Sequence, residues 1–492
     1  MKIVVLSDLH YTGEPITDEK RHGVADLLLR RAVLRINRMI RPDLTLLMGD
    51  LVNDGADPGA PSLWRRLREI ADKLESPYLA LPGNHDGDPE PFYQVFDRPP
   101  EHYDLSGVRF VSFVDPEEPN WNARRTEADL ERITAARQGH AGPLVCLQHT
   151  SLFPPGASDC PYSFINADDV VTRMRQAGVT LSISGHYHVG VPLIQSGELA
   201  FAICPALCEP PFDFLEITLD QGQIAVTRHS LAMPRELRLF DLHVHTPFAY
   251  CSEDMDIPLS LTLANDFGLG GLAFCEHTGQ LYFNAPTFWN AAFMTDGIET
   301  SIGLDDRMPA YLRKMETVAG PATLIGLEID ADFSGRPVVR DEDRRQAQFA
   351  LGTIHWLPEL GRPQPNVERA KEEYLSVMKR LCAGRIDALA HPFRVLRQLD
   401  HEVSASLIGP TVEVLRASGV AAELNFHYND PSLVFVQRCL EAGVRLTLGS
   451  DSHNLSEIGE FAPHLALLRR CGCDHDLERV LLNVDSLPRW NT

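Results

Sequence analysis

The chain has 492 residues, 44% of them hydrophobic, and a formal charge of −23. It contains no uninterrupted apolar stretch near the ~20 residues that a membrane helix needs, and so negative a chain lacks the many Lys and Arg contacts that grip duplex nucleic acid. Neither a membrane nor a duplex is therefore expected as a partner. The length exceeds what one hydrophobic core usually serves and predicts two domains. The first residues, MKIVVLSDLHYTGE, reach an aspartate too early for a secretory leader. The ten cysteines form no disulfide-scaffold pattern, and the close pairs Cys204/Cys208 and Cys471/Cys473 lack second pairs at zinc-site spacing. Reduced thiols and a cytoplasmic protein follow. A small anionic ligand remains compatible with the charge, because bound divalent metals can reverse the local sign.

In the first half, short apolar runs each stop at a potential ligand. Residues 3–6 precede Asp8 and His10, 44–48 precede Asp50, and 78–81 precede Asn84 and His85. Residues 144–147 lead to His149, and 179–183 lead to His186 and His188. Helical periodicity fills 17–40, 62–75 and 167–177, the last opened by Asn166 as a cap. In an α/β sheet the strand C-termini gather at one edge, so these scattered residues are expected to meet there. Carboxylates and imidazoles suit zinc, manganese and iron, and one carboxylate can bridge two ions that clamp a displacement at phosphorus. A lone histidine is more often a hydrogen-bonded structural residue; the ordered set carries the reading. After Asp220 the sequence predicts a closing hairpin turning at Gln221-Gly222, then a boundary near Met233-Pro234-Arg235-Glu236.

The motifs SDLH, GDLVN, GNHD, QHT and GHYH, in that order over residues 1–232, resemble the calcineurin-like metallophosphoesterases, especially their cyclic-nucleotide phosphodiesterase-like branch. The resemblance implies an αββα sandwich with two metals (manganese, iron or zinc). Asp8, His10 and His188 would hold one ion, Asn84, His149 and His186 the other, and Asp50 would bridge them. His85 resembles the family's phosphate-contacting histidine, which protonates or stabilises the leaving oxygen. Thr150 departs from the family's more usual histidine or proline.

The second half repeats the rhythm with different residues. Runs at 271–275, 323–327, 350–354, 386–390, 420–424 and 445–449 lead to Glu276-His277, Glu328, His355, His391, Asn425 and Asp451-Ser452-His453. Helices are expected at 258–267, 367–383, 411–418 and 431–442, and this alternation predicts a parallel β/α barrel with its site at the strand C-termini. DLHVHT, FCEHTG, LIGLEID, LGTIHW, LAHPF and LGSDSH resemble, over residues 238–492, the polymerase and histidinol phosphatase (PHP) superfamily. The resemblance implies a distorted seven-stranded barrel with two or three ions (zinc, manganese or iron). His243, His245, Glu328 and Asp451 would bind one, and Glu328 would bridge to a second held by His355 and His391. His277 and His453 would belong to a third. Where many three-metal members place another histidine stands Cys251, with Asp254 nearby. Cysteine ligates zinc as a thiolate, and a protonated thiol beside an empty position is the alternative.

Arg394, just past His391, could take a phosphate bidentately or be a surface arginine. The aromatic segment 279–300 could form a lid that stacks on a ring or could fill a core. Glu423 and Asn425 are read as supports for the ligands. Arg30-Arg31 and Arg65-Arg66 are read as solvated helix faces, and His22, His102, His140, His229, His401, His427, His464 and His475 as structural or exposed.

The expected function is a bifunctional phosphoric ester hydrolase. The first site would open a phosphodiester, cyclic or nucleotide-like, and the second would remove the monoester, in sequence on one small substrate. Two independent phosphatases in one chain, or one catalytic domain with a nucleotide-sensing module, would read alike in sequence. C–N hydrolysis by the barrel would be favoured by a lysine at a strand end, and none is present.

Overall fold

The computed structural model describes residues 1–14, 20–296, 298, 305–474 and 476–487. The chain divides into two compact units, Met1–Ala232 and Met233–Thr492.

The first unit is built on two sheets. In one, Lys2–Leu6, Leu44–Leu47 and Tyr78–Ala80 run parallel, and Asp213–Asp220 and Gln223–Ser230 add an antiparallel flank. The other has six strands, among them the parallel trio Val108–Ser112, Leu144–Leu147 and Leu181–Ser184. Val5 and Leu46 from the first sheet share one buried cluster with Phe110, Val145 and Leu181 from the second. Val4, Leu6 and Leu47, on the opposite face, are buried too, as central parallel strands require. Helices Glu127–Ala136 and Ala167–Gln176 bury Ile133, Val170 and Met174 against Val111, Cys146 and Phe201 on the outer side of the second sheet. The hairpin turns at Gln221 and Gly222, whose φ values of 47° and 82° are those of a primed turn that matches strand twist.

Three details differ from the sequence reading. The region 17–40 holds an α-helix only over Ala25–Arg35, with a short 3₁₀ turn before it and a π-turn over Ile36–Ile40; residues 17–19 lie outside the described set. Asn166 stands at the helix start, but its side chain caps nothing: it is spent on the backbone N–H and carbonyl of Arg125. Arg31 is not on a solvated face; it is fully buried and its Nε donates to the carbonyl of Leu231 at 3.3 Å, which gives the buried charge a polar partner.

The second unit is one seven-stranded parallel sheet in sequence order: Phe240–Val244, Gly271–His277, Thr323–Asp330, Phe349–Thr353, Ala388–Leu389, Ala421–Asn425 and Leu446–Gly449. Val244 bridges Ser452, so first and last strands are neighbours and the sheet closes into a nearly complete barrel. The helix expected at 411–418 runs from His401 to Ser418 with Pro410 inside it. Proline lacks an N–H and clashes with the preceding turn, so the sequence reads as a start where the helix in fact continues. Residue 401's side chain and residue 475 lie outside what is described. Among the described residues no helix is long and apolar enough to cross a membrane. All ten cysteines are free.

Candidate metal centres

The first centre forms where the parallel strands of the first unit end. Asp8, His10, Asp50 and His186 adopt φ values of 55°, 48°, 51° and 70°, a left-handed backbone that non-glycine residues enter only when their surroundings hold them there. Gly49, at φ 97°, precedes Asp50, and a Cβ on it would stand 2.5 Å from His149 Nδ1. The strand end therefore requires glycine.

Asp50 Oδ2 lies 3.1 Å from His149 Nε2 and 3.6 Å from His10 Nε2. His10 Nε2 lies 3.1 Å from His188 Nε2, and His186 Nδ1 lies 3.2 Å from His149 Nε2. Two groups with converging ligand atoms result, Asp8/His10/His188 and Asp50/His149/His186, and His85 joins His10 and Asp50 in a third. The other ring nitrogens are tied outward: His149 Nδ1 to the Met48 carbonyl at 2.7 Å, His188 Nδ1 to Glu209 Oε1 at 2.7 Å, and His186 Nε2 to the Trp121 carbonyl at 2.9 Å. Such partners fix the tautomer and aim the remaining lone pair inward. His85 Nδ1 donates to the Asn53 carbonyl at 2.8 Å, and its backbone N–H donates to Asp50 Oδ1 at 2.8 Å. Asn84 Oδ1 and Asp8 Oδ1 are buried without a hydrogen-bond partner. Burial lowers the His10 and His186 imidazoles to about 4, which keeps them neutral as ligation requires. The Asp50 carboxylate instead pushes His149 up to about 10, and Glu209 and Asp8 raise His188. A bound cation would take the place of those protons, and the unpaired buried oxygens fit divalent ions, since buried polar atoms left without partners are otherwise costly.

Asp86, the last residue of GNHD, points the other way. It is fully buried and accepts from the backbone N–H groups of Leu51, Val52 and Gly83 and from Trp64 Nε1 at 2.9–3.1 Å, pinning the Asp50 and Asn84 loops together.

The second centre lies at the C-terminal ends of the barrel strands. Glu328 Oε2 is 3.5 Å from His243 Nε2 and 3.8 Å from His245 Nε2, and its Oε1 is 3.0 Å from His391 Nε2 and 3.4 Å from His355 Nε2. Asp451 Oδ1 is 3.0 Å from His245 Nε2 and 3.5 Å from His243 Nε2. His243, His245 and Asp451 form one group that could hold an ion, and His245, His277 and His453 form another. His245 thus faces both. Burial lowers His391 to about 3, helped by the Arg394 charge, and lowers His453 to about 2. His243 Nε2 is buried without a hydrogen-bond partner, so this donor set also fits metals.

Cys251 Sγ lies 3.6 Å from His277 Nε2 and accepts from Gln280 Nε2 at 3.2 Å; burial pushes its thiol up to about 12. Asp254 accepts the Leu455 backbone N–H at 2.8 Å. Arg394 Nη1 donates to Asp451 Oδ2, and its Nη2 stands 3.2 Å from His355 Nε2, so the guanidinium lies at the centre rather than on the surface. The aromatic segment divides its work. Phe283 and Phe293 stack in the interior at 4.7 Å, while Phe288 and Trp289 join Trp356 and Tyr428 along a cavity of about 980 Å³ that reaches His277, His355, His453 and Arg394. Residues 297, 299 and 300 of that segment lie outside the described set.

Three residues escaped the sequence reading. Glu209 sits 21 residues beyond His188, with no local signal to connect them. Asp330 accepts from His355 Nδ1 at 2.8 Å, and its signal was present: it lies two positions after Glu328 on one strand, hence on the same face. Trp121, whose carbonyl holds His186, stands outside every ligand motif.

Residues 1–190 match the calcineurin-like phosphoesterase family model. The chain is 27% identical over 219 residues to a protein of Synechococcus sp. named a probable cyclic nucleotide phosphodiesterase, covering 42% of this chain and 80% of that one. It is 25% identical over 266 residues to a protein of Deinococcus radiodurans named a probable histidinol-phosphatase, covering 48% of this chain and 94% of that one. A solved structure of a dimetal phosphatase from Danio rerio aligns with 46% of this chain and 96% of its own, at 16% identity and a TM-score of 0.38. The chain carries a calcineurin-like phosphoesterase domain over residues 1–190 and is a metal-dependent phosphoric ester hydrolase.

Proposed function

We propose that the chain is a bifunctional cytoplasmic enzyme in which residues 1–232 open a nucleotide-like phosphodiester and residues 238–492, a PHP domain, remove the resulting phosphomonoester. The observation that carries this reading is the repetition of one arrangement: in each unit a buried carboxylate stands between two sets of imidazoles, Asp50 within 3.6 Å of His10 and 3.1 Å of His149, and Glu328 within 3.5 Å of His243 and 3.0 Å of His391. Relatives named phosphodiesterase and histidinol-phosphatase support the two halves of the assignment.

In the first unit Asp8, His10 and His188 would hold one ion and Asn84, His149 and His186 the other, with Asp50 between. In the second, His243, His245 and Asp451 would hold one, His355 and His391 a second, with Glu328 between, and His277 and His453, with Cys251 beside them, a third. Divalent ions supply Lewis acidity and an activated water when bound. The protein's own groups do the rest. His85, fixed by its Nδ1–H to Asn53, would present Nε2 to the leaving oxygen and give it a proton when both ring nitrogens carry one. Arg394, on the barrel's strand-end face, turns its fork from Asp451 to the phosphate of the monoester. The aromatic side of the barrel cavity holds the organic group by stacking and excludes water.

The test is p-nitrophenol release from bis(p-nitrophenyl) phosphate and from p-nitrophenyl phosphate by wild type, Asp50→Asn and Asp451→Asn, each loaded with manganese. Asp50→Asn should lose diester cleavage while keeping monoester cleavage, and Asp451→Asn the reverse. Loss of both activities in either variant would contradict a division of labour.

A further inference from the structure

We propose that Trp121 reads the substrate of the first centre, stacking on a planar ring in the organic group of the diester, so that nucleoside esters are preferred to alkyl esters. The inference rests on the phosphodiesterase reading of that centre.

Four observations converge. Trp121 is 54% exposed, unusual for so large an apolar side chain, and it belongs to a small hairpin between Glu117–Glu118 and Asn122–Ala123. Asn120 and Trp121 both take left-handed φ values, 62° and 56°. A bulky residue enters that conformation only under strain, so its surroundings must hold it. Two contacts do: its carbonyl accepts from His186 Nε2 at 2.9 Å, and its ring meets Tyr162 edge-on at 6.0 Å, which in turn meets His186 edge-on at 5.3 Å. The indole is therefore fixed relative to a candidate ligand.

Trp121 also borders a cavity of about 380 Å³ whose lining includes Asn84 and His149 of the first centre together with Phe113, Val114 and Pro116. That volume falls within the ~300–1,000 Å³ of small-molecule sites. Asn84, a candidate ligand of the first centre, lines the same cavity, and its Oδ1 is buried without a hydrogen-bond partner. A phosphate alone needs no apolar wall. An indole at the mouth of such a wall matches a planar ring, and tolerates different bases because each offers a π-face.

The test compares thymidine 5′-(p-nitrophenyl phosphate) with ethyl p-nitrophenyl phosphate, which share a leaving group and differ only in the nucleoside. Trp121→Ala keeps the backbone carbonyl that holds His186, so only the indole is removed. In the full-length manganese-loaded protein, the nucleoside-to-ethyl ratio of kcat/KM should fall roughly tenfold in Trp121→Ala, mainly through KM, and recover largely in Trp121→Phe. Independently of turnover, thymidine 5′-monophosphate should quench an indole emission present in wild type and missing from Trp121→Phe. An equal loss for both esters, an unchanged ratio, or no quenching difference would overturn the proposal while leaving the phosphodiesterase reading in place. If wild type cleaves neither ester, that reading falls and takes the proposal with it.

Discussion

Glu423 Oε1 accepts the Nδ1–H of His243 at 2.7 Å, and the same carboxylate reaches a second histidine, its Oε2 accepting the His391 backbone N–H at 2.6 Å. One buried side chain thus orients two candidate ligands on opposite sides of Glu328. Partners of this kind typically contribute a factor of about 10–100 in metal affinity. Glu423→Gln should weaken manganese binding in the second unit by about that factor, measured by chelator competition, and lower monoester turnover at limiting metal. Diester turnover should stay at the wild-type level.

The corresponding partner in the first unit is Glu209, bound to His188 Nδ1 at 2.7 Å and to Lys20 at 3.4 Å. Glu209→Ala frees the His188 ring to rotate. Metal titration of diester cleavage should shift to about tenfold higher manganese, with the same plateau once metal saturates. A lowered plateau at saturation would show that Glu209 acts on the chemistry and not on the ligand's orientation.

Removing metal should cost stability without unfolding the sheets. Asp8, Asp50, Glu328 and Asp451 are all buried beside imidazoles, and ions that bind only the folded state stabilise it by about 2.7 kcal/mol at a hundredfold excess over Kd. Treatment with EDTA should abolish both activities and lower the melting temperature while the far-UV circular dichroism at 25 °C is preserved. A melting curve that metal does not move would argue against occupied sites.

Asp86 ties the Asp50 loop, the Asn84 loop and Trp64 together. Asp86→Ala strands four buried donors, the N–H groups of Leu51, Val52, Gly83 and Trp64 Nε1. Each stranded donor costs about 1–3 kcal/mol before relaxation. A loss of about 3 kcal/mol or more is expected in the urea transition of the first unit, with diester activity falling because the Asp50 and Asn84 loops separate.

Much of this architecture was legible in the sequence because its strands are short apolar runs that stop at a ligand. Leu144–Leu147 before His149 and Leu446–Gly449 before Asp451 need no tertiary information to be recognised. The helix His401–Ser418 is longer than its sequence suggests because Pro410 is a local stop signal that the surrounding turns override. Arg31 departs from its sequence pattern for a related reason: charge suggests solvent, and only the folded chain brings the Leu231 carbonyl to it. Glu209 and Trp121 have no periodic relation to the ligands they orient, since long-range closure of the loops makes those contacts. Asp330 and Glu423 were accessible through strand alternation, being two residues from Glu328 and Asn425 on their strands.

Phosphorus-31 NMR of the manganese-loaded full chain with a dinucleoside or cyclic nucleoside phosphodiester, alongside Asp50→Asn and Asp451→Asn, separates the two steps. Wild type should convert the diester to inorganic phosphate through a transient monoester, Asp451→Asn should stop at the monoester, and Asp50→Asn should leave the diester intact. Release of phosphate by Asp451→Asn at the wild-type rate, or consumption of the diester by Asp50→Asn, would rule out sequential hydrolysis at the two centres.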